Sequence, residues 1–263
     1  MKTKLLAFLL LGLIISCKDK TEHKINYSNE KIDLTTSIYP ENISEVFDAH
    51  GGIDSWKSMK SLEFTMNKPN SDEITTTDLR SRKSLINMPN HLIGYNGKDV
   101  WLKNKDTTNY KGNAKFYYNL MFYFYAMPFI LADDGISYDT AKPLEFEGKT
   151  YPGIKISYES GIGESPDDEY ILYYNSETYQ MEWLAYTVTY FTKEKGKEFH
   201  LIKYSNWQEV DGLLVPEMLS WYHYENNVPT TKQNDLHFSN IKFSKEKADS
   251  KIFEMPEGAE IIQ

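Results

Sequence analysis

One cysteine, Cys17, is all that 263 residues offer. No disulfide can close within the chain, so any exported domain made from it is held by its core alone. Positive charge is scarce as well: 29 Lys and Arg face 38 Asp and Glu, a net charge of −9. That balance, with no basic cluster to offset it, disfavours nucleic acid and electrostatic attachment to anionic headgroups. The only extended apolar run is residues 5–15, too short to span a bilayer as a retained helix. Signals for chemistry are thin. Gly161-Ile162-Gly163-Glu164-Ser165 lacks the spacing of a nucleophile elbow. His200, His223 and His237 fall on three expected strands with no second ligand at i+2 or i+4. Asp167-Asp168-Glu169 lacks the alternating oxygen ligands of a calcium loop and reads as a solvated turn, and Asp133-Asp134-Gly135 reads as a cap and turn. No catalytic residue, metal site or cofactor is assigned, and a non-enzyme is expected.

What is present begins at the N-terminus. Lys2 and Lys4, the apolar run and then Ile14-Ile15-Ser16-Cys17 have the form of a signal peptide ending in a lipobox. The expectation is cleavage before Cys17, lipidation of its thiol and an anchor of more than one acyl chain, each buried methylene contributing roughly 0.8 kcal/mol. Residues 1–16 are then the leader and residues 17–38, charged and apolar-poor, a flexible tether. Residues 39–263 form one domain, with no Pro/Gly/Ser-rich linker and no fixed repeat. The expected location is the cell envelope, on the outer membrane in either a periplasmic or a surface-facing leaflet, with the protein a monomer.

Helical periodicity is confined to two segments. Ile43, Val46 and Phe47 recur at i, i+3, i+4 before Gly51-Gly52, a natural C-terminal stop beside which a helix end would favour a cationic His50. Between Gly112 and Ala132, Phe116, Tyr117, Leu120, Met121, Phe124 and Met127 keep helical spacing up to a break at Pro128. That segment is apolar nearly all round, so it is expected to be sandwiched. The remainder alternates with period two, as at Leu62, Phe64 and Met66, and about ten antiparallel strands are expected. Asn96-Gly97 and Asp211-Gly212 are suited to type I′ hairpins, and a phase slip from Leu236 and Phe238 to Ile241 and Phe243 implies a bulge near Ser239-Asn240. In residues 170–174 and 180–191 large side chains occupy both phases, so both faces of those strands should be covered.

These residues carry a resemblance. His50-Gly51-Gly52-Ile53-Asp54-Ser55-Trp56, Tyr95-Asn96-Gly97-Lys98-Asp99-Val100-Trp101, the aromatic segment ending at Pro128-Phe129, and Phe253-Glu254-Met255-Pro256-Glu257-Gly258-Ala259 resemble uncharacterised lipoproteins of Bacteroidota. That family is similar in layout to the LolA/LolB-like lipoprotein localisation factors. The resemblance implies a mainly β fold, an open antiparallel half-barrel wrapped over one or two helices, whose concave face binds acyl chains, another hydrophobic small molecule or a lipoprotein. A lipid anchor departs from the soluble carriers and points to an anchored acceptor, sensor or scaffold. The candidate ligand-binding residues are Phe116, Leu120, Met121, Phe124, Met127, Trp101, Trp183 and Trp221. Two readings of the aromatic segment stand side by side: a lid over a cavity, or a permanent plug of the barrel. Two further roles fit the same pattern: a sensor or scaffold that meets a partner protein or glycan through its outer surface, and an envelope hydrolase.

Overall fold

The computed structural model describes residues 38–69, 71–158, 168–191, 198–225 and 228–263. Cys17, the leader and all but the last residue of the expected tether lie outside them. The described chain starts with α1 (Glu41–Ala49), which buries Ile43, Val46 and Phe47 on one face, and α2 (Ile53–Ser58), which buries Trp56. The second helix follows directly on Gly51-Gly52, where the sequence pattern runs straight into a strand. Both glycines hold positive φ, 99° and 84°, a turn that L side chains resist.

Thirteen strands follow: β1 (Ser61–Asn67), β2 (Glu73–Asp78), β3 (Ser84–Asn87), β4 (His91–Tyr95), β5 (Val100–Asn104), β6 (Ile136–Phe146), β7 (Lys149–Tyr158), β8 (Tyr170–Tyr174), β9 (Met181–Tyr186), β10 (His200–Val210), β11 (Leu213–Glu225), β12 (Val228–Ser244) and β13 (Glu260–Ile261). They form one antiparallel sheet in the order β13-β5-β4-β3-β2-β1-β12-β11-β10-β9-β8-β7-β6. Its outermost strands, β13 and β6, are not paired with each other, so the sheet is open. This is the mainly β half-barrel, with three more strands than the period-two count suggests.

Turn chemistry accounts for the register. Asp211 and Gly212 both have positive φ, 52° and 81°, as a two-residue type I′ loop requires. At Asn96-Gly97 only Gly97 is positive, and the expected I′ turn is replaced by a four-residue loop. There the Asn96 carboxamide oxygen accepts from the N–H groups of Lys98 and Asp99 at 2.9 and 2.8 Å. The expected bulge is present: β1 and β12 slip register between Glu63 and Thr65, and Asn240 opposite has φ 53°.

The aromatic segment is not the single long helix that its periodicity predicts. It is α3 (Ala114–Tyr117), α4 (Leu120–Tyr125) and a 3-10 turn, Phe129–Ala132. Asn119, at φ −129° and ψ −5°, interrupts the first two, and Pro128 precedes the third. The pieces lie on one sheet face over the main core, in which Leu62, Phe64, Met66, Ile154, Ile156, Leu184, Ile202 and Leu219 are fully buried. The opposite face of β8–β10 is also covered: Leu144, Tyr151, Tyr173, Trp183, Ala185 and Leu201 form a separate apolar cluster with Phe146 and Tyr222 against it. The two-phase aromatic pattern of those strands therefore has a physical cause, since each phase has its own core. None of the helices among the described residues is long and apolar enough to cross a membrane.

Candidate functional site

A cavity of about 200 Å³ lies between the aromatic segment and the ends of β7 and β8. One wall is a helical stripe, Phe116, Leu120, Phe124 and Met127, continued by Ile130. The spacing that suggested a helix brings these side chains to one side even though the helix is broken at Asn119. The other wall is Tyr158, Asp168, Tyr170 and Tyr190, while Lys115, Asn119, Tyr123, Asp133 and Asp134 complete the lining. Depth follows burial. Met127 and Ile130 are 1% and 2% exposed, whereas Asp133 and Asp134 are exposed, so the deep end is apolar and the mouth is acidic.

Hydrogen bonds fix both walls. The Tyr204 hydroxyl, fully buried on β10, donates to the Phe124 carbonyl at 2.8 Å and anchors α4 to the sheet. On the facing wall, Thr189 N–H donates to Asp168 Oδ1 at 2.6 Å, and Glu169 N–H to Thr187 Oγ1 at 2.9 Å, extending the β8–β9 pairing past the strands. Asp133 is paired with Arg82 at 2.5 Å. Burial pushes the Tyr158 and Tyr170 phenols well above their ordinary range, so these rings present neutral hydroxyls. At the far end of α3, Tyr117 donates to Glu73 Oε2 at 2.7 Å, and Lys68 Nζ reaches both Glu73 Oε1 and the Tyr117 oxygen, at 2.5 and 2.8 Å.

Of the eight candidate residues, Phe116, Leu120, Phe124 and Met127 meet at the cavity and four do not line it. Met121 is buried in the main core. Trp221 also packs there, its ring 6.4 Å from that of Phe124. Trp101 donates its indole N–H to the Phe253 carbonyl at 3.0 Å and fills the space above Gly94, where a Cβ would stand 2.1 Å from the ring. Trp183 belongs to the outer cluster, with Lys203 Nζ 5.3 Å from its ring. Sequence reasoning misses Tyr123, Tyr158, Asp168, Tyr170 and Tyr190. The solvated turn expected at Asp168 is instead a buried carboxylate that organises backbone, and Asp167 lies outside the described residues. Among the described residues no three His, Cys, Asp or Glu side chains gather as metal ligands.

His50 departs from the expected helix-end cation. It is fully buried, and its carbonyl accepts from Leu214 N–H at 2.9 Å. Met181 N–H donates to Nε2 at 3.0 Å, so Nδ1 carries the proton and donates to the Leu214 carbonyl at 3.1 Å. Burial lowers its pKa to about 4, against that one favourable carbonyl. The ring is a neutral staple joining α1 to β9 and β11.

The fold has likenesses among solved structures. A LolA superfamily protein from Nitrosomonas europaea is 8% identical, with a TM-score of 0.45, covering 80% of this chain and 96% of that one. A DUF1329 family protein from Desulfovibrio piger is 11% identical, at 0.48, covering 81% and 98%. An outer membrane lipoprotein-sorting protein domain from Vibrio parahaemolyticus is 9% identical, at 0.42, covering 78% and 96%. No curated protein matches the sequence. The model of a family of unknown function, DUF6503, matches residues 9–248, and the chain belongs to that family.

Proposed function

We propose that this is an envelope lipoprotein, anchored through Cys17, that binds the apolar part of a small amphiphile in the half-barrel cavity without chemical transformation. The observation that carries the reading is the space left beside Leu120, Phe124, Met127 and Ile130, at the border of the buried apolar core. Its 200 Å³ is below the roughly 300–1,000 Å³ of pockets that take drug-sized ligands. One short aliphatic chain suits it, and the several acyl chains of a lipoprotein together do not. The leader and lipobox support an envelope location. Leu120, Phe124 and Met127 act as the chain-binding wall, with Phe116 at the rim, while Met121, Trp101, Trp183 and Trp221 hold the scaffold that shapes it.

Native mass spectrometry of the full chain extracted from its own membrane tests this. A co-purifying small amphiphile is expected. A ligand-free chain that also takes up no added 1-octanol would overturn it. One observation favours a scaffold as the second reading: Met121, Phe122, Tyr125 and Phe129 of the aromatic segment are buried as part of the main core. Stoichiometric crosslinking to a partner protein, with no bound amphiphile, would support that scaffold.

A further inference from the structure

We infer that the end of the domain at which residues 17–37 join it is a docking surface for anionic lipid headgroups, an inference that rests on the anchoring at Cys17 proposed above. In a chain of net charge −9, three segments far apart in sequence bring their cations side by side. The backbone of Lys60 joins them: its N–H donates to the Ser244 carbonyl at 2.7 Å, and its own carbonyl accepts from Leu79 N–H at 2.9 Å. Lys57 and Lys60 therefore adjoin Lys245 and Lys247 on one side, and Arg80, Arg82 and Lys83 of the β2–β3 turn on the other. The patch is made by folding, so the sequence shows no basic run.

Most of these charges are open to solvent. Lys57, Lys60, Arg80, Lys245 and Lys247 are exposed, and none of them forms an ion pair among the described residues. Within residues 57–60, 78–83 and 244–247, seven cations meet two carboxylates, Asp78 and Glu246. Asp78 is buried and already engaged: its Oδ1 accepts from Arg80 N–H, Ser81 N–H and the Ser81 hydroxyl at 3.0, 2.7 and 2.9 Å. Burial raises that carboxyl, but the bonds from Ser81 and Arg80 and the field of Lys247 outweigh it and hold it below its ordinary range. On neighbouring segments Asp133 is answered by Arg82, and with the exposed Asp54 and Asp134 also counted the patch stays net positive.

Lipid is the occupant because of where the anchor segment joins. Ile38, 87% exposed, precedes Tyr39, whose hydroxyl donates to the Ala132 carbonyl at 3.1 Å, and the residue after Ala132 is Asp133, the partner of Arg82. The attachment point therefore lies beside the basic turn. Residues 17–37 reach at most about 75 Å when fully extended, so an anchor at Cys17 draws this end of the domain toward the bilayer. Tethering gives a weak site a high effective concentration, and screening beyond about 8–10 Å lets the local cations act against the net charge of the whole.

Vesicle sedimentation of the full-length chain carrying Cys17→Ala compares phosphatidylcholine vesicles with and without about 30% phosphatidylglycerol, at about 50 mM salt. Binding at least tenfold tighter is expected with phosphatidylglycerol, and that preference should vanish at about 0.5 M salt. Lys60→Gln, Arg80→Gln and Lys247→Gln together should weaken it at least tenfold. Lys111→Gln, Lys142→Gln and Lys149→Gln, also exposed and equal in charge removed, should change it less than twofold. Inorganic phosphate at about 10 mM and matched ionic strength should not compete, because a bilayer presents many headgroups at once. No preference between the vesicles, equal loss in the two triple variants, no loss in either, or displacement by phosphate would overturn the docking surface. Because Cys17 is replaced, all of these outcomes are independent of the anchor, which the mass of the chain extracted from its own membrane decides.

Discussion

Two ends of one core are built differently, and the contrast shows what the aromatic segment is for. At the α1 end the described side chains meet in close ring contacts. Trp56 stacks on Phe129 with ring centroids 4.9 Å apart and planes 7° from parallel, the His50 ring centroid lies 4.5 Å from that of Trp207, and the backbone at Gly51, just after α1, comes close to the backbone of the β10–β11 turn at Gly212. At the α3 end the same segment leaves a cavity. Plug and wall are therefore not rival descriptions. Met121, Phe122, Tyr125 and Phe129 point into the filled core, and Phe116, Leu120, Phe124 and Met127 form the wall a few residues away on the helix surface.

The strongest way to break this contrast is at Gly51. A Cβ there would stand 2.0 Å from the Gly212 carbonyl oxygen, and the φ of 99° resists any L side chain. Gly51→Ala is expected to destabilise by about 4 kcal/mol or to prevent folding, measured by urea unfolding. A loss below about 1 kcal/mol would mean that the close approach is not kept in solution.

A paired truncation sharpens the comparison. Phe129→Ala, in the filled end, should cost about 3–4 kcal/mol, while Leu120→Ala, beside existing empty space and partly exposed, should cost about 1–1.5 kcal/mol. Equal costs would show that the two ends are packed alike. The pH dependence of the filled end comes next in size. Free His50 takes a proton near pH 6.5 and the folded ring only near 4, so the unfolded state binds more protons in that window. The staple's stability is fully present above about pH 6.5 and falls away as pH drops toward 4, by roughly 2–3 kcal/mol. His50→Gln should flatten that part of a stability-against-pH curve, and an unchanged slope would remove His50 as its source. The smallest effect is at the open end: Tyr117→Phe removes a hydrogen bond to Glu73 that retains its lysine, for about 1 kcal/mol in chemical denaturation.

Periodicity carried much of this in advance. Leu62, Phe64 and Met66 marked a half-buried strand, Asp211-Gly212 a two-residue hairpin, and the slip after Phe238 a bulge, because each depends on neighbours in sequence. The break at Asn119 and the helix at Ile53–Ser58 were hidden, since a short helix beside glycine carries too few turns to show a period. His50 misled for a related reason. Position at a helix end argues for a cation, but the carbonyl and amide that fix it neutral come from Leu214 and Met181, far away in the chain. The wall formed by Phe116, Leu120, Phe124 and Met127 was legible as a stripe. The facing wall was not, because Tyr158, Tyr170 and Tyr190 lie on separate strands and loops that only the curved sheet brings together.

The central claim is that the space beside Leu120 holds an aliphatic chain. Titrating 1-octanol into the full-length chain with Cys17→Ala, alone and with Leu120→Trp added, tests it most directly. The account predicts one saturable site in the first protein and at least a tenfold loss of affinity once the indole fills the cavity. Equal uptake by both proteins, or by neither while both remain folded, would contradict it.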